Sequence, residues 1–219
     1  MRKLVVNTFV TLDGVMQAPG GPEEDPTGGF TYGGWSVNYW DEMMGKTMDE
    51  FMTKPFDLVL GRNTYDIFAA HWPHVKNDPA ADKLNSVKKY VVSRRHVELS
   101  WNNSTLVTGD AVREISKLKD QAGPELQVHG SSNLIQTLLS HGLIDELQVW
   151  IFPATVKSSK RLFGEGTRPS NLKLVDVKSS TTGVIIATYQ PAGELKTGSF
   201  ALENPTEAEL ERRKRLKEK

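Results

Sequence analysis

The residues of this sequence best suited to bind an anion form a short corner, Gly61–Thr64, that follows an apolar run. That run, Leu58–Leu60, is long enough for a buried strand and too short for a helix. The glycine allows a sharp turn, and Asn63 or Thr64 can cap a helix that follows. Free backbone N–H groups, the positive end of the helix dipole and the Arg62 guanidinium would then converge. The corner can therefore bind a phosphate, although a plain turn with a solvated arginine has the same pattern.

Two further corners have similar chemistry. The predicted strand Lys89–Ser93 ends in Ser93–Arg94–Arg95, which places two guanidinium groups at its carboxyl end. The predicted strand Leu126–His129 runs into Gly130–Ser131–Ser132–Asn133 and a helix, a second arrangement suited to a phosphate. The sequence contains neither the G-x-G-x-x-G fingerprint nor a G-x-x-x-x-G-K-[ST] loop, so the standard dinucleotide and P-loop motifs do not account for these corners.

Aromatic residues and one carboxylate are candidates for a substrate pocket. The Gly/Pro-rich stretch Pro19–Gly34 predicts a long loop of the kind that covers sites, and Trp35 and Trp40 follow it. The two tryptophans could floor a pocket for a flat ring, or they could plug the edge of the core. In the predicted amphipathic helix Asn38–Lys54, Glu50 lies at the border of the apolar stripe.

The composition narrows the class of protein. The chain has 219 residues with 27 basic and 27 acidic side chains, and this balance argues against a nucleic-acid or membrane-surface protein. It has no cysteine, which excludes thiolate chemistry and disulfides, and His71 and His74 lack the partners for a metal site. The N-terminus lacks the features of a signal peptide and no apolar stretch approaches a membrane span, so we expect a cytoplasmic protein.

The order of elements predicts an α/β fold with a mixed sheet and helices on both faces. The three last strands are joined by connections too short for ordinary helices, which indicates an antiparallel edge. Ligands of such sheets bind at the carboxyl ends of strands, where all three corners lie. Besides the strands given above, we predict strands at Arg2–Val10, Thr105–Thr108, Asp145–Phe152, Leu172–Val177 and Thr182–Gln190.

The C-terminal part of the chain has a different character. Glu203–Lys219 has almost no apolar face and many charge pairs spaced four residues apart, with Asn204 or Thr206 able to cap a helix. We therefore predict a domain over residues 1–191 and a charged extension over residues 192–219, which frays or lies on the surface.

Several motifs together resemble the dihydrofolate reductase-like superfamily, in particular stand-alone relatives of the riboflavin-biosynthesis reductase (RibD C-terminal) domain. The resemblance extends from Met1 to about Pro191 and includes FTYGGWSVNYWDE. It implies a three-layer α/β/α fold, a mainly parallel sheet, NADPH as cofactor and a homodimer. The other motifs are LVVNTFVTLDG, LVLGRNTY, YVVSRR, LQVHGSSNLIQTLL, GLIDELQVWIFPATV and KRLFGEG.

The resemblance also assigns roles to individual residues. The Gly61–Thr64 corner would meet the cofactor phosphates, and Ser93–Arg94, with Arg95 beside it, would receive the adenosine ribose and its 2′-phosphate. Gly130–Leu134 would lie at the pyrophosphate and nicotinamide, and Leu12–Asp13–Gly14 would edge the nicotinamide. From the residues alone, Asp13 and Gly14 also suit an ordinary turn.

The sequence departs from its relatives at two places. Folate-reducing members carry a buried carboxylate on the first helix, where this chain has Gly45, and Glu50 is a poor substitute. The riboflavin-pathway relatives have Gly-x-Gly before KRLF, where this chain has Lys157–Ser158–Ser159. Lys157, Lys160 and Arg161 could meet a substrate phosphate, but we expect them to face solvent.

These observations and the resemblance predict an NADPH-dependent reductase that transfers hydride to a small heterocyclic or carbonyl substrate, as a riboflavin-pathway-type pyrimidine reductase or a related enzyme would. Trp35, Trp40 and Glu50 would lie on the substrate side, and no proton donor is identifiable. True dihydrofolate reduction is the enzymic alternative. A non-catalytic nucleotide-binding sensor or assembly protein is an alternative of another class, and a domain without a nucleotide site is the simplest one.

Overall fold

The computed structural model describes residues 1–165 and 167–218. Gly166, the last residue of the KRLFGEG motif, and Lys219, the last residue of the extension, lie outside this range. The described chain forms an eight-stranded sheet in the order β4-β3-β2-β5-β1-β6-β8-β7. The strands are β1 (Leu4–Thr11), β2 (Phe56–Gly61), β3 (Lys89–Val92), β4 (Ser104–Val107), β5 (Glu125–Val128), β6 (Glu146–Phe152), β7 (Leu172–Ser179) and β8 (Ile185–Pro191).

Strands β1 to β6 are parallel, and β8 and β7 add antiparallel pairs at one edge. The mixed sheet with an antiparallel C-terminal edge is thus confirmed. The helices are α1 (Glu42–Thr53), α2 (Arg62–His71), α3 (Pro79–Ser86), α4 (Ala111–Asp120), α5 (Ser132–Ser140) and α6 (Glu207–Lys217).

Helices cover both faces of the sheet, which gives the expected three layers. On one face, α4 and α5 bury Ile115 and Ile135 against alternate β1 residues such as Val6. On the other face, α1 buries Phe51 in a cluster with Val5, and α2 and α3 contribute to the same cluster. Because side chains alternate along a strand, residues 5, 7 and 9 of β1 face α1. This alternation decides which β1 residues reach the site.

Two helix starts differ from the sequence prediction. Helix α1 begins at Glu42 rather than Asn38 because the Asp41 carboxylate accepts a hydrogen bond from the Met44 N–H (2.9 Å). Helix α2 begins at Arg62 directly after Gly61, so the expectation that Asn63 or Thr64 caps it is wrong. Both residues lie inside the first turn.

Part of the extension, Glu207–Lys217, forms the exposed helix α6. Thr206 caps α6, and Glu209 pairs with Arg212 and Arg213 on its surface. These pairs lie three and four residues apart, the spacing that supports an isolated helix. Across residues 1–165 and 167–218, no helix has the length and apolar character required to cross a membrane.

Candidate functional site

A cleft of about 1030 Å³ opens over the carboxyl ends of β1, β2 and β5. Its floor includes Asn7 and Phe9 of β1, and its wall includes Met48 and Met52 of α1. The N-terminal turns of α2 and α5 form one end of the cleft, and part of the Gly/Pro-rich loop forms its rim. The predicted site residues in its lining are Trp40, Asn63, Thr64, Gly130, Ser131, Ser132 and Asn133.

The Gly61–Thr64 corner and the Gly130–Asn133 corner are in direct contact. The Gly61 N–H donates a hydrogen bond to the Gly130 carbonyl (3.1 Å). A Cβ atom at Gly61 would overlap Ser131 Oγ and lie 3.0 Å from the Ser131 nitrogen, and one at Gly130 would lie 2.6 Å from Thr64 Oγ1. A side chain at either position would therefore require the facing corner to shift, and the two glycines allow the close approach. The Gly130–Ser131 peptide bond is cis.

The helices that begin at these two corners, α2 and α5, lack the side-chain N-cap that the other helices have. Side-chain oxygens of Asp41, Asp78, Asp110 and Thr206 cap α1, α3, α4 and α6. Within the described chain, no side chain caps α2 or α5. The first N–H groups of a helix have no partner inside it, so these two helices present free donors to the cleft.

Arg62 lies exposed beside the first corner. Its Nε donates to Asp66 Oδ2 (2.7 Å), one turn further along α2, and both side chains are about half exposed. Exposed pairs of this kind contribute at most about 1 kcal/mol, so the guanidinium can exchange this partner for another anion. Arg62 itself is outside the cleft lining, whereas Asp66 is part of it.

The Ser93–Arg95 corner lies next to the Gly61–Thr64 corner because β3 pairs with β2. Ser93 is buried, and its hydroxyl donates to the Arg95 carbonyl (2.8 Å) and accepts from the Arg95 N–H (3.2 Å). The serine therefore shapes the turn, and Arg94 and Arg95 extend from it into solvent. All three corners thus follow neighbouring parallel strands and lie at the carboxyl ends of these strands.

The Leu12–Asp13–Gly14 segment forms a turn outside the cleft lining. The Asp13 carboxylate accepts hydrogen bonds from the Lys157 N–H (3.0 Å) and the Val156 N–H (3.3 Å), which joins this turn to the loop after β6. Burial raises the pKa of Asp13, but the hydrogen bonds from Thr11, Lys157 and Val156 together hold it below its usual value. Asp13 therefore has a structural role in the turn.

The two tryptophans occupy different places. Trp40 is 45% exposed, lines the cleft and stacks on Trp150 with a centroid distance of 5.9 Å. Trp35 lies outside the cleft lining, packs edge-on against Phe152 and donates from Nε1 to the Gln17 carbonyl (2.7 Å). Trp40 therefore fits the pocket interpretation, and Trp35 fits the interpretation as a plug at the edge of the core.

Three sequence expectations need correction. Glu50 lies outside the cleft lining, and its carboxylate pairs with Lys178 of β7 (2.8 Å). Lys160 is not simply solvated, since it forms an ion pair with Asp25 and hydrogen-bonds Thr27 Oγ1 (2.6 Å). Arg161 donates to the Asp13 carbonyl, but its side chain stays 40% exposed, so the solvent expectation is wrong only in part.

A row of polar side chains along β5, continued by His129, was not predicted from the sequence. Gln127 is fully buried; its Nε2 donates to Glu125 Oε1 (2.8 Å), so its Oε1 is left to accept from His129 Nε2 (3.2 Å). This arrangement assigns the ring proton of His129 to Nε2. The His129 ring lies in the cleft lining between Phe51 and Phe68, and burial lowers its pKa to about 4. His129 is therefore neutral at physiological pH.

Two more cleft residues were overlooked. Asn7 is 4% exposed, and its Oδ1 has no hydrogen-bond partner among the described residues. An asparagine inside the apolar run LVVNTFV was the available signal. Glu24 of the Gly/Pro-rich loop accepts a hydrogen bond from the Gly20 N–H (2.6 Å). Burial, assisted by the charge of Asp25, raises the pKa of the Glu24 carboxyl group.

Comparisons with known proteins agree with this geometry. Two Bacillus subtilis proteins are similar along most of their length: the uncharacterized protein YyaP is 28% identical over 193 residues, which cover 86% of this chain and 94% of YyaP. The uncharacterized protein YwjB is 23% identical over 180 residues, which cover 81% of this chain and 91% of YwjB.

Solved structures share the fold. A proposed riboflavin biosynthesis protein from Shewanella sp. PV-4 has a TM-score of 0.61 at 22% identity, over 87% of this chain and 99% of that one. A pyrimidine reductase-like protein from Corynebacterium diphtheriae has a TM-score of 0.56 at 14% identity (88% and 93% covered). Dihydrofolate reductase from Enterococcus faecalis, crystallised with NADP(H) and RAB-propyl, has a TM-score of 0.56 at 15% identity (86% and 96% covered).

The sequence profile described as the RibD C-terminal domain matches residues 2–186, from the strand that floors the cleft to the antiparallel edge of the sheet. The resemblance noted in the motifs is confirmed over nearly the whole length, and the chain belongs to the RibD C-terminal domain family.

Proposed function

We propose that this protein is an NADPH-dependent reductase that reduces a small heterocyclic or carbonyl substrate. The observation that carries the proposal is the pair of uncapped helix N-termini, α2 and α5, held together at the cleft by Gly61 and Gly130. Two adjacent sets of free N–H donors suit the two phosphates of a dinucleotide. The E. faecalis dihydrofolate reductase, which shares the fold, was crystallised with NADP(H).

The residues present fit such a cofactor. The backbone N–H groups and side chains at Gly61–Thr64 and Gly130–Leu134 would hold the pyrophosphate, and Arg62 would exchange Asp66 for a phosphate oxygen. Arg94 or Arg95 would bind the 2′-phosphate, because a guanidinium is permanently charged and matches phosphate oxygens in a fork. Leu12–Gly14 would edge the nicotinamide. The bound cofactor supplies the hydride, and the chain binds and orients both reactants.

The substrate would lie on the α1 side of the cleft, against Trp40, Met48 and Met52. This part of the cleft does not favour dihydrofolate, because Glu50 pairs with Lys178 away from it and position 45 is glycine. A folate-type pterin needs a carboxylate partner for its protonated edge. We therefore favour a substrate that is bound by uncharged side chains.

Separate titrations with NADPH and NADH, followed by nicotinamide fluorescence, test the cofactor assignment. Arg94→Glu should weaken NADPH binding roughly 10- to 100-fold, as expected for loss of a charge-assisted hydrogen bond of about 1.5–3 kcal/mol. NADH binding should change less than about threefold, since NADH has no 2′-phosphate.

Arg215→Glu in the exposed helix α6 is the matched control, because it makes the same charge change at a residue outside the three corners assigned to the cofactor. It should leave both titrations unchanged. Equal losses of NADPH and NADH affinity in Arg94→Glu would show that the 2′-phosphate assignment is wrong. Failure of the wild-type protein to bind either dinucleotide would contradict the proposed function itself.

The family resemblance also implies a homodimer. Sedimentation of the full chain tests this part of the proposal, and a monomer at micromolar concentration would contradict it.

A further inference from the structure

We infer that the cleft accepts a substrate with an apolar arm that ends in a positively charged group such as a primary amine. The arm lies between α1, α2 and α3, and its charged end meets Glu24. The inference rests on the proposed reductase function, because it names a class of substrate for the same cleft. The reacting part of the substrate would still meet the uncharged side chains near Trp40, and the inference concerns the other end of the molecule.

The first argument is an apolar end of the cleft that the cofactor assignment leaves unused. Its lining comes from three helices that share one core cluster: Met52 of α1, Phe68 of α2, and Ala80 and Leu84 of α3. Trp72, directly after α2, packs edge-on against Phe68 with a centroid distance of 6.1 Å. One side of the core is thus open to the cleft. A ligand that covers it gains up to about fourfold in affinity for each buried CH₂ group.

The second argument is the length of the cleft. The ring of Phe68 lies 6.3 Å from that of His129 (centroid distance), and His129 directly precedes the Gly130 corner. The apolar end is therefore continuous with the place proposed for the cofactor. The whole cleft, of about 1030 Å³, is at the upper end of the range for small-molecule sites, so it has room for a substrate longer than a single ring.

The third argument is the position of Glu24, which lines the cleft from the Gly/Pro-rich loop. The Gly20 N–H donates to Glu24 Oε2 (2.6 Å) and holds the carboxylate against this loop. Electrostatic interaction with His71 lowers the pKa of Glu24, but burial outweighs it and raises the pKa above its ordinary value. The ring of His71 lies 5.0 Å from that of Trp72, at the apolar end. A cation at this end would favour the charged form of Glu24 and gain affinity from it.

The fourth argument is the balance of charges in the lining. Ion pairs with basic side chains neutralise the carboxylates of Asp25 and Asp66. Within the described chain, Glu23 and Glu24 form no ion pair. Lys160 is the one lysine or arginine in the described lining, and Asp25 already occupies it. An anionic arm would therefore meet two unpaired carboxylates, whereas a cationic arm compensates them.

Calorimetric titration with three probes that share one arm tests the inference: 6-phenylhexylamine, 6-phenylhexan-1-ol and 6-phenylhexanoate. The titrations are done at pH 8, where an ordinary histidine is neutral. The wild-type protein should bind the amine roughly tenfold more tightly than the carboxylate, with the alcohol between them. 4-Phenylbutylamine, which is shorter by two CH₂ groups, should bind up to about tenfold more weakly than 6-phenylhexylamine.

Two variants test the position of the charged end. Glu24→Gln should reduce the preference for the amine over the carboxylate to about threefold or less, because it removes one of the two unpaired carboxylates. Ala70→Lys adds a cation at an exposed position of the lining on α2 and should reduce the preference to a similar extent, with Glu24 and its loop intact. Glu211→Gln in α6 removes the same charge outside the cleft and should keep the full preference.

The other outcomes separate this inference from the proposed function. The inference would be overturned if the wild-type protein bound the amine and the carboxylate equally, preferred the carboxylate, or bound none of the probes. It would also be overturned if either variant, folded as judged by circular dichroism, kept the full preference, or if saturating NADPH displaced the amine. Failure of the wild-type protein to bind NADPH would instead contradict the reductase proposal, whereas the preference for the amine is measured without cofactor.

Discussion

The helices of this protein begin in two different ways. Helices α1, α3, α4 and α6 start with a side chain that accepts a hydrogen bond from the first turn, whereas within the described chain α2 and α5 start without one. A missing cap costs about 1 kcal/mol per helix, so it is a disadvantage for folding alone. The two uncapped helices follow the adjacent strands β2 and β5 and open into the same cleft. The comparison indicates that the N-termini of α2 and α5 suit a ligand, whereas the capped N-termini of the other helices serve stability.

The largest effect should come from filling the contact between the uncapped corners. In Gly130→Ala the new Cβ atom would lie 2.6 Å from Thr64 Oγ1. The corners must then separate, and we expect a loss of about 3 kcal/mol in the free energy of unfolding, together with loss of NADPH binding. Urea denaturation and cofactor titration measure the two effects.

Gly45→Ala in the capped helix α1 is the matched control. Its Cβ atom would meet only Trp40 Nε1, at 3.9 Å. Alanine favours a helix over glycine by up to about 1 kcal/mol, so this variant should be more stable than the wild-type protein. Similar losses in both variants would contradict a special role for the contact between the corners.

A pH effect should arise at His129, one residue before the uncapped corner of α5. Its pKa is about 4 in the folded protein, against 6.5 for the free side chain. Between these values the unfolded chain binds more protons, so stability falls as the pH decreases from about 6.5 to 4. For this partly exposed ring we expect roughly 2 kcal/mol, measured by denaturation at several pH values.

His129→Asn should remove this part of the pH dependence, and His141→Asn, at an exposed histidine after α5, should leave it unchanged. An identical pH profile for the wild-type protein and His129→Asn would indicate that the surroundings of the ring do not lower its pKa.

The smallest effects compare the helix starts directly. Asp110→Ala removes the cap of α4, whose carboxylate accepts from the Arg113 N–H (2.8 Å), and should cost about 1 kcal/mol. Ser131→Ala, at the start of the uncapped helix α5, should cost less than about 0.5 kcal/mol because no cap is lost. The affinity for NADPH should respond in the opposite order, because Ser131→Ala should weaken binding more than Asp110→Ala. A larger stability loss in Ser131→Ala would show that its hydroxyl acts as a cap after all.

Local patterns were sufficient to predict most of the fold. Apolar runs and turn residues indicated the strands, and short connections indicated the antiparallel edge. The same local signals identified the corners at Gly61 and Gly130. The contact between them also needed the strand order, which places β5 beside β2 although the two glycines lie 69 positions apart in the sequence.

Residues whose surroundings come from distant parts of the chain could not be predicted in this way. The partner of Glu50 is Lys178, and that of Lys160 is Asp25, so no helical wheel or local spacing indicates either pair. The isolation of Asn7 depends on what Gln148 and His129 contact in neighbouring strands. Lys157 has a left-handed backbone (φ +54°), which a lysine does not indicate.

A crystal structure of the protein with NADPH tests the central claim most directly. The account predicts that pyrophosphate oxygens accept hydrogen bonds from the N–H groups at the starts of α2 and α5, with the 2′-phosphate beside Arg94 or Arg95. A dinucleotide bound elsewhere, or phosphates held at one of the capped helices, would contradict it.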